Sequence, residues 1–108
     1  MIEGLVAGTL VGLAEQRQGK NGSSYTLAKV KAGSAEDENL IVNVITFSRE
    51  TGATLMALNE GDAVALTGAL TPKVWTDKQG NTRPALDMIA SQVLTVYPTL
   101  QVRAEADR

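Results

Sequence analysis

Five short apolar runs rich in Val, Ile, Leu and Thr, divided by polar or Gly-containing breaks, dominate this chain of 108 residues. Runs of this length and composition are typical of β-strands. At this length the chain holds one domain with one core, so the pattern predicts a single all-β domain. The predicted strands are Ile2–Leu13, Tyr25–Ala32, Leu40–Phe47, Asp62–Thr76 and Thr82–Tyr97.

One segment, residues 48–59, interrupts the strands and predicts a short helix. Ser48 is suited to the N-cap, and Leu55 and Leu58 share one helical face. Gly52 lowers the stability of this helix by about 1 kcal/mol relative to Ala, so packing has to hold it. Five strands with a helix between the third and the fourth is the order of an OB-fold, a five-stranded Greek-key barrel.

The first predicted strand carries three glycines, Gly4, Gly8 and Gly12. Glycines inside a strand indicate strong bending or a close approach of two backbones, as in a small barrel; the alternative is a loose strand that tolerates Gly. We expect residues 1–98 to form the domain and residues 99–108 a short C-terminal tail that frays.

The inventory of side chains argues against most enzymes. The chain has no Cys and no His, which removes disulfides, thiolate metal sites and the commonest general base. We therefore predict no catalytic residue, no metal and no cofactor. No apolar run reaches the roughly 18 residues of a membrane span, and the N-terminus lacks a signal-peptide pattern, so we expect a cytoplasmic protein.

The only Trp, Trp75, follows Lys73 near the end of the fourth predicted strand, just before a polar turn at Gly80-Asn81. An indole and a cation on an exposed hairpin suit a flat anionic ligand such as single-stranded nucleic acid. The alternative is that Trp75 packs against a neighbouring subunit. The formal net charge of −2 argues against a strongly basic binder, although a local basic stripe matters more than the sum.

Two further segments carry a resemblance. Residues 42–49 read Val-Asn-Val-Ile-Thr-Phe-Ser-Arg, and residues 60–83 contain a Gly-hydrophobic strand that leads into Lys-x-Trp-Thr-Asp-Lys-x-Gly. These segments resemble bacterial single-stranded DNA-binding (SSB) proteins. The resemblance implies an OB barrel that assembles as a homotetramer, or as a dimer with two folds per chain.

The resemblance also implies roles for individual residues. It assigns base stacking to Trp75 and Phe47, and basic positions to Arg49 and Lys73. From its local sequence alone, Phe47 is better interpreted as a core residue. The remaining basic residues expected near the groove are Lys78, Arg83, Lys29 and Lys31; each one singly reads as solvated surface, but together they could follow a phosphate backbone.

The chain also departs from the family pattern. Ile41 stands where the family often has Trp, and Val74 stands where a second basic residue is common. The family's long tail with an acidic tip, which recruits other replication proteins, has no counterpart here. We therefore expect a divergent or accessory member with weaker binding per subunit.

The predicted function is non-enzymatic, largely sequence-independent binding of single-stranded DNA in replication, recombination or repair. The alternative is an OB-fold assembly module of the replication-restart (primosomal) type that binds DNA secondarily. A nuclease is disfavoured because metal ligands and bases are lacking. The apolar third strand and the Gly-rich first strand predict a homo-oligomer, either a dimer or a tetramer.

Overall fold

The computed structural model describes residues 1–33 and 39–97, the side chains of residues 95–97 excepted. The predicted tail, residues 99–108, lies outside the described residues. The elements are β1 (Ile2–Leu10), β2 (Glu15–Gln18), β3 (Ser24–Gly33), β4 (Asn39–Thr46), α1 (Arg49–Met56), β5 (Ala63–Thr76) and β6 (Thr82–Tyr97). The all-β class and the position of the helix are confirmed.

The sheet has the order β1-β5-β6-β4-β3-β2, and β1 also pairs with β3. This second pairing involves only Thr9↔Lys31 and Leu10↔Val30, so it closes the barrel through two residue pairs. The β4–β6 pair is parallel, and the other paired strands run antiparallel. Strands β1, β3, β4, β5 and β6 thus have the connectivity of the predicted OB-fold.

Strand β2 is the element that the sequence pattern does not predict. It pairs with β3 from Glu15↔Leu27 to Gln18↔Ser24 and adds a sixth strand at the edge of the sheet. All four of its residues are exposed and polar. A strand with no buried face carries no apolar alternation, so hydrophobic periodicity gives no signal for it.

The core lies between the inward faces of the strands and one side of α1. Alternate residues of the central strands point inward, and Leu55 of the helix is fully buried against them. Leu58, just after the helix, is also buried. The most deeply buried side chains are Leu10, Val30, Val42, Val44, Thr46, Leu55, Leu66 and Met88.

Two glycines permit close approaches that position the barrel and the helix. A Cβ at Gly8 would collide with the carbonyl oxygen of Lys31, where β1 leaves β5 and meets β3. The predicted close approach of backbones in the first strand is therefore confirmed. A Cβ at Gly52 would collide with Oγ1 of the buried Thr26, so α1 lies against β3 at a distance that only Gly allows.

Hydrogen bonds fix the start of the helix as predicted. The Thr51 backbone N–H donates to Oγ of Ser48 at 3.2 Å, the N-cap bond. The buried hydroxyl of Thr46 donates to the Ala90 carbonyl at 2.9 Å and accepts from the Ser48 N–H at 3.2 Å. The junction between β4 and α1 is therefore tied to β6 through Thr46, the residue immediately before Phe47.

Candidate nucleic-acid interface

The outward-pointing side chains of four neighbouring strands form one continuous surface, which we call the outer face. Strand register connects it, since Lys29 lies opposite Asn43, and Asn43 lies beside Asp87. Asp87 in turn lies opposite Thr71. The outer face comprises Tyr25, Leu27, Lys29 and Lys31 of β3, Ile41, Asn43, Ile45 and the following Phe47 of β4, Thr71, Lys73 and Trp75 of β5, and Arg83, Asp87 and Ile89 of β6.

At one end of the outer face, β5 and β6 extend beyond the barrel as a two-stranded arm. The β1 pairing of β5 ends at Leu70, and the β4 pairing of β6 begins at Leu86. Trp75 lies on this arm directly opposite Arg83 and is 45% exposed. The indole borders a cavity of about 220 Å³ whose walls include Ile41, so it stands beside the end of β4.

A tight turn orders the tip of the arm. The Asp77 carboxylate accepts hydrogen bonds from the backbone N–H groups of Asn81 (2.9 Å) and Gln79 (3.0 Å) and from Nε of Arg83 (3.0 Å). The N–H of Asn81, followed by the Arg83 side chain, lowers the pKa of Asp77 because these donors favour the charged carboxylate. Lys78 lies exposed within this turn.

Two of the predicted cations are paired with carboxylates on the same surface. Lys73 Nζ lies 3.0 Å from Oδ2 of Asp87, whose other oxygen accepts from Nδ2 of Asn43 at 3.4 Å. Arg83 Nε lies 3.0 Å from Oδ2 of Asp77. Neither acid was predicted from the sequence. The signal for Asp87 is the hairpin register, which places Asp87 opposite Thr71, two residues from Lys73.

The opposite end of the outer face carries Phe47. Its side chain is 64% exposed, so the local interpretation of Phe47 as a core residue is wrong. The physical reason is phase: Val42, Val44 and Thr46 point inward, which turns Phe47 outward. The ring centroids of Phe47 and Tyr25 are 6.2 Å apart, with the planes tilted by 54°.

A cleft of about 890 Å³ opens beside this aromatic pair. Arg49, the first residue of α1, contributes to its wall together with both rings. Tyr25 was not predicted as a site residue, although strand alternation puts this first residue of the predicted strand Tyr25–Ala32 on the same face as Lys29 and Lys31. The cleft forms between the β2–β3 hairpin and α1. Because strand β2 was not predicted, the cleft could not be predicted either.

The middle of the outer face carries Lys29 and Lys31, both exposed. Lys31 lies opposite Ile41, which borders the Trp75 cavity. From Ile41 to Phe47 the chain runs six residues, or about 20 Å along an extended strand. The structure thus places Trp75, Lys73 and Arg83 towards one end, Lys29 and Lys31 in the middle, and Phe47 and Arg49 at the other end. Lys78 lies at the tip of the arm.

Comparison with known proteins identifies the family. The model of the single-strand binding protein family matches residues 1–96. Among solved structures, the fold is similar to the small single-stranded DNA-binding protein of Streptomyces coelicolor, with a TM-score of 0.67 and 14% identity over 92% of this chain and 96% of that chain. It is also similar to the mitochondrial single-stranded DNA-binding protein of S. cerevisiae, with a TM-score of 0.65 and 11% identity over 86% and 92% of the two chains.

By sequence, no curated relative matches the chain significantly. Among residues 1–33 and 39–97, no helix has the length and apolar character needed to cross a membrane. The resemblance found in the sequence is confirmed by the family match, which supports single-strand binding as the class of function. Because that match covers residues 1–96 of 108, the chain belongs to the single-strand binding protein family.

Proposed function

We propose that the outer face binds single-stranded DNA with little sequence preference, by base stacking on Trp75 and Phe47 and by phosphate contacts with the surrounding cations. The observation that carries this proposal is the 45% exposed indole on the arm, on the same face as Lys73 and Arg83. The cations assigned to phosphates are Lys73, Arg83, Lys78, Arg49, Lys29 and Lys31.

The energetics favour stacking as the main local contribution. Each base stacked on an aromatic ring contributes about 1–3 kcal/mol, whatever the base, because every base has a π-face. The ion pair of Lys73 with Asp87 is exposed on both sides, and such pairs contribute about 0–1 kcal/mol. A phosphate can therefore replace Asp87 as the partner of Lys73 at little cost.

A titration of the intrinsic Trp75 fluorescence with oligo-dT tests the proposal. We expect quenching at low salt, and an affinity that falls with a log–log slope of about −0.7 per phosphate neutralised. Trp75→Ala, followed by anisotropy of a labelled oligonucleotide, should weaken binding by about 1–3 kcal/mol. Val74→Ala is the matched control, since Val74 is 66% exposed on the opposite side of the same strand. No quenching, or equal effects of the two variants, contradicts the proposal.

A homo-oligomer is part of this proposal. Along Ile2–Gly8, β1 pairs with β5 on one side only among the described residues, which leaves an edge for a second copy. Ile2 and Leu5 of this strand are 54% and 58% exposed. Light scattering at micromolar concentration tests it, and a monomer contradicts it. Roles in replication, recombination or repair, the absence of enzymatic activity and a cytoplasmic location also stay predictions.

A second candidate function is the assembly module that binds proteins and uses DNA secondarily. The observation that favours it is an apolar groove of about 420 Å³ at the base of the arm. It is lined by Pro72, Val74, Pro84 and Leu86, with Leu40 of β4. Charge reversal at Lys73 and Val74→Asp separate the two functions: loss of replication-protein binding in Val74→Asp, with DNA affinity intact in both variants, selects the assembly role.

A further inference from the structure

We propose that Tyr25 and Phe47 together form a second stacking platform, and that the cleft between the β2–β3 hairpin and α1 takes a nucleotide of the bound single strand. The inference rests on the proposed function and extends the bound strand from Phe47, at one end of the outer face, into this cleft. It adds Tyr25, which no sequence motif marks, as a direct contact for a base, and it places the phosphate contact of Arg49 inside the cleft.

The geometry of the ring pair leaves room for a base. With centroids 6.2 Å apart and planes tilted by 54°, the two rings meet at an angle and do not cover each other face to face. Phe47 is 64% exposed, whereas Tyr25 is half-buried. A base stacked on Phe47 would therefore meet the Tyr25 ring as a side wall, and the two rings form a corner.

Both rings are held in place by the fold. The Tyr25 ring lies beside Gly19, because a Cβ added to that glycine would be 3.8 Å from Tyr25 Cε1. The Gly19 N–H donates to the Ser23 carbonyl at 2.7 Å, which closes the β2–β3 hairpin under the ring. Phe47 is flanked by the anchored Thr46 and Ser48. A platform set by such contacts loses little conformational entropy when a base stacks on it.

The cleft has the size and the lining for a nucleotide. Its volume of about 890 Å³ lies within the range of ligand sites, about 300–1,000 Å³. Polar groups that suit a sugar and a phosphate line it, among them Ser23, Ser24 and Gln16. Arg49 places a guanidinium, the preferred partner of phosphate, on the opposite wall. The Met56 side chain, 46% exposed, adds an apolar contact.

The position of the cleft predicts a dependence on oligonucleotide length. The second platform lies about 20 Å along β4 from the site of Trp75. A strand short enough to occupy the Trp75 end alone does not reach Tyr25. A strand that crosses Lys31 and Lys29 towards Phe47 does reach it, which fits the range of about 4–16 nucleotides that one OB-fold covers.

The test compares wild type with Tyr25→Leu and with the matched variant Tyr25→Phe, over oligo-dT lengths from about 4 to about 16 nucleotides. Trp75 quenching reports occupation of the arm in all three proteins. We expect Tyr25→Leu to bind the shortest strands as wild type does and the longest about five- to 150-fold more weakly. Tyr25→Phe should keep wild-type affinity at all lengths, because it keeps the ring.

Photo-crosslinking separates a direct contact from a purely structural role. With 5-iodouracil in the long oligonucleotide, peptide mapping should find adducts on Tyr25 as well as on Phe47 and Trp75. Adducts on Phe47 and Trp75 that spare Tyr25, or a loss in Tyr25→Leu that is the same at every length, overturn this inference and leave the proposed function standing. No quenching and no adducts in wild type overturn the proposed function, and this inference with it.

Discussion

Replacing Asp87 by Asn should strengthen the binding of single-stranded DNA. Asp87 is the acid in the middle of the outer face, with Lys73 Nζ 3.0 Å from one of its oxygens and Asn43 Nδ2 3.4 Å from the other. In the free protein the Asp87 carboxylate is paired with Lys73, which is the cation that a phosphate of the DNA would contact. Asn keeps the size and the acceptor oxygen but removes the charge, so the change isolates the electrostatic effect.

The expected magnitude follows from two distances. A phosphate in contact with Lys73 would lie roughly 6 Å from the Asp87 carboxylate, the 3.0 Å ion pair plus a second charged hydrogen bond of about 2.8 Å. Two like charges at that separation repel by about 0.7 kcal/mol in water and about 2.8 kcal/mol at an effective dielectric of 20. Since the side chains of Lys73 and Asp87 are 48% and 43% exposed, the lower end applies, which gives about three- to tenfold tighter binding.

Anisotropy of labelled oligo-dT at several salt concentrations measures this effect. When wild-type protein binds DNA, Lys73 displaces a counterion from the DNA, but the freed Asp87 carboxylate takes one up from solution. Asp87→Asn removes this uptake, so the log–log slope of affinity against salt concentration should become steeper by up to about 0.7. Stability should change little, because an exposed pair contributes about 0–1 kcal/mol. Glu50→Gln is the matched control, with the same charge change on α1. Unchanged affinity in Asp87→Asn, or an equal gain in Glu50→Gln, refutes the reasoning.

Other predictions concern the helix and the arm. Gly52→Ala should lower the free energy of unfolding by about 1–3 kcal/mol, although helix propensity alone favours Ala by about 1 kcal/mol, because the new Cβ meets the stiff, buried Thr26. Thermal melts measure this, with Gly33→Ala as the control, where a Cβ meets nothing within 4 Å; equal effects contradict it. The lowered pKa of Asp77 means that folding favours the carboxylate, so its stabilisation of the turn is present above the ordinary value of 3.8 and is lost as pH falls through the lowered pKa. The amide resonances of Gln79 and Asn81 should therefore titrate with a midpoint below 3.8, and a midpoint at or above it contradicts the assignment.

Elements with a buried face were predictable from the sequence, and the exposed one was not. Val64 and Leu66 alternate with half-buried residues, and this alternation placed β5 and its neighbours. Strand β2 has no buried residue and depends on pairing with β3 across a tight turn. The helix was predicted three residues too long, to Asn59, because Leu58 is buried after the last helical turn at Met56.

The same distinction explains the candidate site. Trp75 could be singled out because an aromatic ring near a polar turn has few structural uses, and its exposure now agrees with that interpretation. The exposure of Phe47 depends on which alternate residues of β4 point inward, and the local sequence did not determine this. To recognise Asp87 and Tyr25 as site residues, one needs the strand register. Asp87 is paired with Lys73 across the β5–β6 hairpin, and Tyr25 lies beside Phe47 at the end of β4. Register depends on contacts across the sheet, which one sequence does not display.

The charge of the chain limits how it can hold a polyanion. A formal net charge of −2 supplies no long-range attraction to DNA, so association cannot depend on steering by the whole protein. The ion pairs of Lys73 and Arg83 reduce the local field further until a phosphate displaces the acid. What remains is stacking, which salt screens far less than it screens phosphate contacts. In the proposed complex the strand would therefore be retained mainly by its bases, with the cations setting its path, and the ring pair of Tyr25 and Phe47 would hold a base at the end of the outer face opposite Trp75.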